Sequence, residues 1–209
     1  MQPDDDFFKH LGTLNNGLYR QKTYANYKNS PRNNSFILNG ALRSGFNINN
    51  FLNQINDLND IFRAKNNTPL NLYRMTSSSE FTPSGAEVAL GIPFRYPAFL
   101  STTRNLNVLR NFIPPTGIPT ILKIKCPIGT GMALMEANSS LSNEEEILLQ
   151  SYTQYKITNA NIISIPSTIT QYLGSNNVSK HSSIYEIEMG ITASSFNLNN
   201  VSLNDFYLF

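Results

Sequence analysis

The stretch Asn143-Glu144-Glu145-Glu146-Ile147-Leu148-Leu149 carries the pattern that decides how the fold of this chain is interpreted. Its apolar second half predicts a β-strand, in which successive side chains point to opposite faces. Glu144 and Glu146 are therefore expected on one face, about 7 Å apart, with Glu145 on the other. A run of three glutamates is most often a solvated charged surface. Two carboxylates at the start of a strand also suit chemistry at a positively charged sugar carbon.

Arg74 is a second polar group, and it lies in a strand whose alternate positions are otherwise apolar. Residues 70–75 alternate between apolar and polar side chains, which predicts a strand. A buried arginine is costly unless it meets an anion, and its planar guanidinium suits a phosphate. An ordinary salt bridge to a protein carboxylate is the alternative interpretation.

Three hydroxyl side chains, Ser101-Thr102-Thr103, end the predicted strand 98–103. Such a trio is commonly a turn or a helix cap. It can also supply neutral hydrogen-bond donors that fix a carboxylate or a ribose.

The order of elements along the chain predicts an α+β fold. Between residues 36 and 63 apolar side chains recur at helical spacing, which indicates two amphipathic helices split near Gly45. The second half alternates short apolar runs with Pro, Gly and Asn turns. Strands are predicted at 70–75, 98–103, 120–126, 144–149, 154–157, 161–166 and 183–191, with loops at 174–179 and 197–204.

The composition excludes several classes of protein. The 209 residues carry 16 Lys and Arg against 14 Asp and Glu, and this net charge of +2 is too small to indicate a nucleic-acid partner. One cysteine permits no internal disulfide, and with only two histidines we expect no metal. No apolar run approaches 18 residues, so no membrane span is expected. The acidic start lacks the regions of a secretory signal peptide.

Taken in order, Arg74, Ser101-Thr102-Thr103 and Glu144-x-Glu146 resemble the Arg-Ser-Glu class of mono-ADP-ribosyltransferases. This class includes clostridial binary-toxin and vegetative insecticidal toxin enzyme components, and arginine transferases of phages and bacterial effectors. Leu38-Asn39-Gly40-Ala41-Leu42-Arg43 is similar to an N-terminal helix motif of that class. Residues 91–103 resemble its approach to the Ser-Thr-Ser strand.

The resemblance implies an ADP-ribosyltransferase fold: a two-sheet β-sandwich core with N-terminal helices and a central NAD cleft. Residues 1–209 are then expected to form one catalytic domain. Its parts are a helical portion at 1–65, a β-rich NAD-binding core at 66–195 and a C-terminal tail at 196–209. NAD is the expected substrate.

The resemblance also implies a role for each site residue. Arg74 would clamp the pyrophosphate, helped by Arg104 or Arg110, and Phe112 or Phe94 would pack against nicotinamide or its ribose. Ser101 would orient Glu146, which stabilises the oxocarbenium ion as nicotinamide leaves. Glu144 would orient the acceptor and favours arginine, whereas Glu145 would face away and be dispensable. The expected NAD-binding set is Tyr73, Arg74, Met75, Phe94, Ser101, Thr102, Arg110, Phe112 and Glu146.

The expected activity is therefore transfer of ADP-ribose from NAD to an arginine of a target protein, by a toxin, an effector or a phage host-modifying enzyme. An NAD glycohydrolase on the same fold and a non-catalytic binding relative are the alternatives. We expect synthesis in a bacterial or phage-infected cytoplasm, and delivery to a host cytosol without a Sec signal. An inhibitor or antitoxin is a further conceivable partner.

Overall fold

The computed structural model describes residues 22–27, 34–80, 90–135 and 145–193. Within these ranges, residues 22–27 are helical, and four further helices follow, with two 3-10 helices at Ile48–Phe51 and Leu106–Phe112. The four helices are α1 (Asn34–Ser44), α2 (Leu52–Ile61), α3 (Pro166–Leu173) and α4 (Ser175–Val178).

The predicted helix pair is confirmed by α1 and α2. Helix α1 buries Leu38, Ala41 and Leu42, and α2 buries Ile55, Leu58 and Ile61, as the helical spacing of these residues requires. Burial of each large aliphatic side chain contributes about 1.5–3 kcal/mol relative to exposure. The chain turns between the helices at Gly45, whose φ of 70° favours glycine.

The described residues also form eight strands, which are hydrogen-bonded in the order β2-β7-β8-β4-β1-β3-β6-β5. Strands β4 and β8 are parallel, and the other neighbours are antiparallel. Their bounds are β1 (Leu70–Ser77), β2 (Pro93–Tyr96), β3 (Leu100–Thr103), β4 (Pro119–Cys126), β5 (Met132–Leu134), β6 (Glu146–Leu149), β7 (Thr153–Ile163) and β8 (Ile184–Ala193).

The predicted two sheets are joined into one hydrogen-bonded sheet. Among the described residues, β1 registers with β4 along its whole length but with β3 at one pair only, Tyr73 opposite Thr103. Five strands lie on one side of this junction and three on the other. The division into two strand groups therefore holds, but the separation into two sheets is wrong.

Two apolar clusters hold the helices against the sheet. The larger contains Leu38, Leu42, Ile55, Leu58 and side chains of both strand groups. The smaller packs α3 and the 106–112 helix on the other face of β1 and β4, through Leu109, Ile121, Ile169 and Leu173. The junction between β1 and β3 thus lies between two packed layers.

Part of the C-terminal prediction is wrong. The runs 154–157 and 161–166 belong to one strand that ends at Ile163, and Pro166 begins helix α3. Proline is favoured in the first turn of a helix because it needs no hydrogen-bond partner there. The predicted loop 174–179 contains α4, and the predicted loop 197–204 lies outside the described residues.

The division of 1–209 into a helical portion, a core and a tail stays a prediction, since 1–21 and 194–209 are not described. Within the part of the chain that the structure covers, no helix is long and apolar enough to span a membrane.

Candidate active site

Arg74 lies beside the junction of the two strand groups. One residue past the Tyr73–Thr103 pair, its Nη1 donates a hydrogen bond to the backbone carbonyl of Ser101 at 3.1 Å. The guanidinium thus bridges β1 and β3 where their registered pairing ends. This contact brings Arg74 and Ser101 together, as the resemblance implies.

Ser101 in turn contacts Glu146 across the β3–β6 pair. The hydroxyl Oγ of Ser101 donates to Oε1 of Glu146 at 2.5 Å, and the carboxylate side chain is only 8% exposed. The neighbouring Thr102 Oγ1 donates to the carbonyl of Ile147 at 2.6 Å. The first hydroxyl therefore holds the carboxylate, and the second reinforces the strand pair.

Arg74, Ser101 and Glu146 line one cleft of about 810 Å³. Helix α1 forms one wall through Asn39 and Arg43, and the 106–112 helix with the segment after it forms another through Phe112. A smaller recess of about 60 Å³ continues from the cleft, and its lining includes Tyr73, Met75, Thr102 and Glu146.

Glu80 is a cleft residue that sequence reasoning missed. Arg74 Nη2 and Glu80 Oε2 form an ion pair at 3.2 Å, and Tyr96 and Thr76 each donate a hydroxyl hydrogen bond to the same carboxylate. Burial would raise the pKa of Glu80, but the charge of Arg74 and these hydrogen bonds lower it to about 2. Burial lowers the pKa of Arg74, whereas Glu80 and Tyr96 raise it to a net value above the ordinary one. Arg74 is therefore charged and fixed before any ligand arrives.

Helix α1 supplies polar side chains to the cleft, including Asn39 and Arg43, which belong to the motif at residues 38–43. Asn39 Nδ2 donates to the Tyr27 hydroxyl at 2.8 Å, and its Oδ1 accepts from the backbone N–H of Phe99 at 3.1 Å. Arg43 Nη1 contacts the Tyr96 hydroxyl at 3.4 Å. Burial raises the pKa of Tyr27 far above its usual value, so its hydroxyl stays neutral. Asn39 and Arg43 sit four residues apart on one helix face, a signal that the sequence carries.

The remaining predicted NAD contacts divide into two groups. Phe112 is 48% exposed at the cleft wall, where a ligand could reach it. Phe94 is only 7% exposed in the core and packs against the Tyr155 ring at 5.9 Å, so its predicted place in the cleft is wrong. Arg110 is exposed and donates to Asn107 Oδ1 at 2.7 Å, outside the residues that line the cleft.

The glutamate run departs from the predicted alternation. Strand β6 begins at Glu146, and Glu145 has a left-handed backbone with φ 45°. Strand geometry therefore does not extend back to Glu145, whose side chain accepts a hydrogen bond from Asn105 Nδ2 at 3.1 Å instead of facing away. Glu144 lies outside the described residues.

The arrangement suits a ligand that carries an anion and develops a positive charge. The Nε–H of Arg74 is buried and has no hydrogen-bond partner among the residues that the structure describes. A phosphate oxygen is a natural acceptor for such a donor. The nearby carboxylate of Glu146 provides negative charge for a cationic centre.

Comparisons with solved structures agree with the fold. The toxin ADP-ribosyltransferase Plx2a from Paenibacillus larvae has a similar fold, with a TM-score of 0.68 and 18% identity over 91% of this chain and 92% of that one. C3stau2 from S. aureus, solved with NAD, has a TM-score of 0.64 and 15% identity, over 90% of this chain and 91% of that one. BECa, from a binary enterotoxin of C. perfringens and solved with NADH, has a TM-score of 0.65 and 18% identity, over 90% of this chain and 46% of its own length.

At the level of sequence, no curated protein matches the chain. Residues 18–184 match the family described as ADP-ribosyltransferase exoenzyme. That match includes Arg74, Ser101 and Glu146 and most of the sheet. The chain therefore belongs to the ADP-ribosyltransferase exoenzyme family, whose members are transferases that use NAD.

Proposed function

We propose that this enzyme transfers ADP-ribose from NAD to an arginine side chain of a target protein and releases nicotinamide. The observation that carries the proposal is the contact chain Arg74–Ser101–Glu146 in one cleft. Relatives solved with NAD and NADH support the choice of ligand.

In this proposal Arg74 binds the pyrophosphate of NAD. Its two terminal nitrogens already contact Ser101 and Glu80, which fixes the plane of the guanidinium. The Nε–H, which meets no acceptor among the described residues, would then donate to a phosphate oxygen. Arg43, on the opposite wall, adds a second positive charge to the same cleft.

Glu146 acts on the bond between nicotinamide and ribose. When this bond breaks, its electron pair leaves with nicotinamide and the ribose becomes an oxocarbenium ion. A carboxylate held by Ser101 stabilises that charge without having to reorganise during the reaction. The acceptor nitrogen then attacks the cationic carbon and loses a proton.

Glu144 is proposed to orient the acceptor and to take this proton. The proposal rests on the Glu144-x-Glu146 pattern. A guanidinium, with a pKa above about 12, must be paired with a base as it attacks. A carboxylate can form a charge-assisted pair with arginine and accept the proton late.

Incubation of the protein with NAD labelled in the adenylate part and a cell lysate tests the proposal. Label on protein bands that hydroxylamine removes is the expected result, because that reagent distinguishes the arginine linkage. Nicotinamide release without labelled protein would instead identify a glycohydrolase. No turnover of NAD, with no effect of Glu146→Ala, would identify a non-catalytic relative.

We also propose that the enzyme acts in the cytosol of a target cell. Similar structures belong to proteins named as toxins, which supports this role. Mass spectrometry of the labelled bands would identify the target protein. Expression with and without an inhibitory partner would show whether the producing cell needs protection.

A further inference from the structure

A hydrogen bond links Glu145, the residue before Glu146, to Asn105, the residue before the 106–112 helix that forms one wall of the cleft. Asn105 Nδ2 donates to Oε1 of Glu145 at 3.1 Å, and both residues are partly buried. Beside it, the backbone N–H of Arg104 donates to the carbonyl of Glu145 at 3.4 Å. The β3–β6 pairing therefore continues beyond Thr103 and Glu146, first through backbone atoms and then through side chains.

Asn105 uses the two ends of its amide for different tasks. Its Oδ1 accepts from the backbone N–H of Asn107 at 3.0 Å and so caps the 106–112 helix. That helix contributes Val108, Leu109 and Phe112 to the lining of the inner recess. The same side chain thus starts a cleft wall with its oxygen and attaches it to the catalytic strand with its nitrogen.

The backbone of Glu145 makes this attachment possible. A φ of 45° is uncommon for a residue with a Cβ, and it interrupts the alternation of the strand immediately before Glu146. The Glu145 side chain is thereby directed to Asn105. Glutamate has no intrinsic preference for this conformation, so surrounding contacts must maintain it.

We propose that Glu145 and Asn105 are positioning residues that hold the 106–112 wall of the NAD site against the strand bearing Glu146. Loss of their hydrogen bond would loosen the wall and weaken NAD binding. The Ser101–Glu146 contact would remain, so turnover at saturating NAD would change less. The inference rests on the proposed function, because it assumes that NAD occupies this cleft.

Exchanging the donor and the acceptor of the Asn105–Glu145 hydrogen bond tests the proposal. Asn105→Asp keeps the helix cap but replaces the donor with a second carboxylate facing Glu145. We expect about a tenfold rise in the Kd and KM for NAD, with kcat reduced less than about threefold. Glu145→Gln keeps an acceptor but loses the charge, and should weaken NAD about threefold. In the double variant the introduced glutamine amide donates to the introduced aspartate carboxylate, and NAD affinity should return to within about threefold of wild type.

Calorimetric titration with NAD measures these affinities without relying on transfer. Asn105→Ser provides a second test if Asn105→Asp does not fold, because serine caps a helix but is too short to reach Glu145. Asn53→Asp, an exposed change of the same charge on α2, controls for charge and should leave the Kd unchanged. Wild-type affinity in Asn105→Asp or Asn105→Ser, or a double variant no better than Asn105→Asp, would overturn the proposal. Failure of the wild type to bind NAD would overturn the proposed function itself.

Discussion

Ser101 Oγ lies 2.5 Å from Oε1 of Glu146, and these two atoms join neighbouring strands at the floor of the cleft. Arg74 Nη1 contacts the backbone carbonyl of the same serine. Ser101 therefore touches the proposed pyrophosphate clamp with its main chain and the proposed catalytic carboxylate with its side chain. The geometry therefore fixes the position of the proposed pyrophosphate clamp relative to the proposed catalytic carboxylate.

Ser101→Ala is expected to lower kcat for nicotinamide release about ten- to a hundredfold, since a hydrogen bond to a charged group contributes roughly 1.5–3 kcal/mol. The KM for NAD should change little, because the backbone carbonyl that contacts Arg74 is retained. Ser101→Thr, which keeps the hydroxyl, is the matched control and should stay within about threefold of wild type. Equal losses in both variants would indicate a steric effect instead of a lost hydrogen bond.

Glu80 should make the stability of the protein depend on acidity. The pKa of Glu80 is about 2 in the folded protein, below its ordinary value of 4.5, so the folded state favours the carboxylate. This contribution is complete above about pH 5 and is lost as the pH falls toward 2. Between pH 7 and 3 the wild type should lose about 2 kcal/mol more unfolding free energy than Glu80→Gln. Urea unfolding at both pH values measures this, and parallel pH profiles would contradict the ion pair with Arg74.

Phe112 and Phe94 should respond in opposite ways to the same substitution. Phe112→Ala removes a partly exposed ring from the cleft wall, so the Kd for NAD should rise several-fold with little change in Tm. Phe94→Ala opens a cavity beside Tyr155 and should cost about 3–5 kcal/mol of stability. Its folded fraction should bind NAD normally. Weak NAD binding by a stably folded Phe94→Ala protein would contradict this prediction and indicate that Phe94 contacts NAD.

Glu144→Gln should separate the two half-reactions. Loss of the base for the acceptor should reduce transfer to arginine at least about a hundredfold. Hydrolysis of NAD depends on Glu146 and should fall only a few-fold. Parallel assays of labelled protein and of free nicotinamide make the comparison, and equal losses in both would contradict the acceptor role of Glu144.

The sequence predicts much of this site because its main residues break the pattern of the strands that carry them. Arg74 takes an alternate position that is otherwise apolar in its strand, Ser101 lies in the hydroxyl run of β3, and Glu146 begins β6. The fold that the resemblance implies then places these three residues close together on neighbouring strands. The α1–α2 pair is equally visible, because its apolar spacing is regular.

Other features depend on tertiary contacts that no local pattern contains. Glu80 follows β1 in a turn, and only the folded chain shows that it returns to Arg74. The sequence predicts that Phe94 packs against NAD, but the pairing of β2 with β7 buries this side chain in the core. The left-handed backbone of Glu145 invalidates the alternation that period-2 geometry predicts for the glutamate run.

Nicotinamide release by wild type and Glu146→Gln, measured at saturating NAD, tests whether the charge of Glu146 drives cleavage of NAD. The variant keeps the shape of the side chain and can still bond to Ser101, but it lacks the negative charge that stabilises the ribosyl cation. We expect a fall in kcat of roughly 10²–10³, with NAD affinity within about threefold and Tm unchanged. A Glu146→Gln protein that releases nicotinamide at the wild-type rate would contradict it.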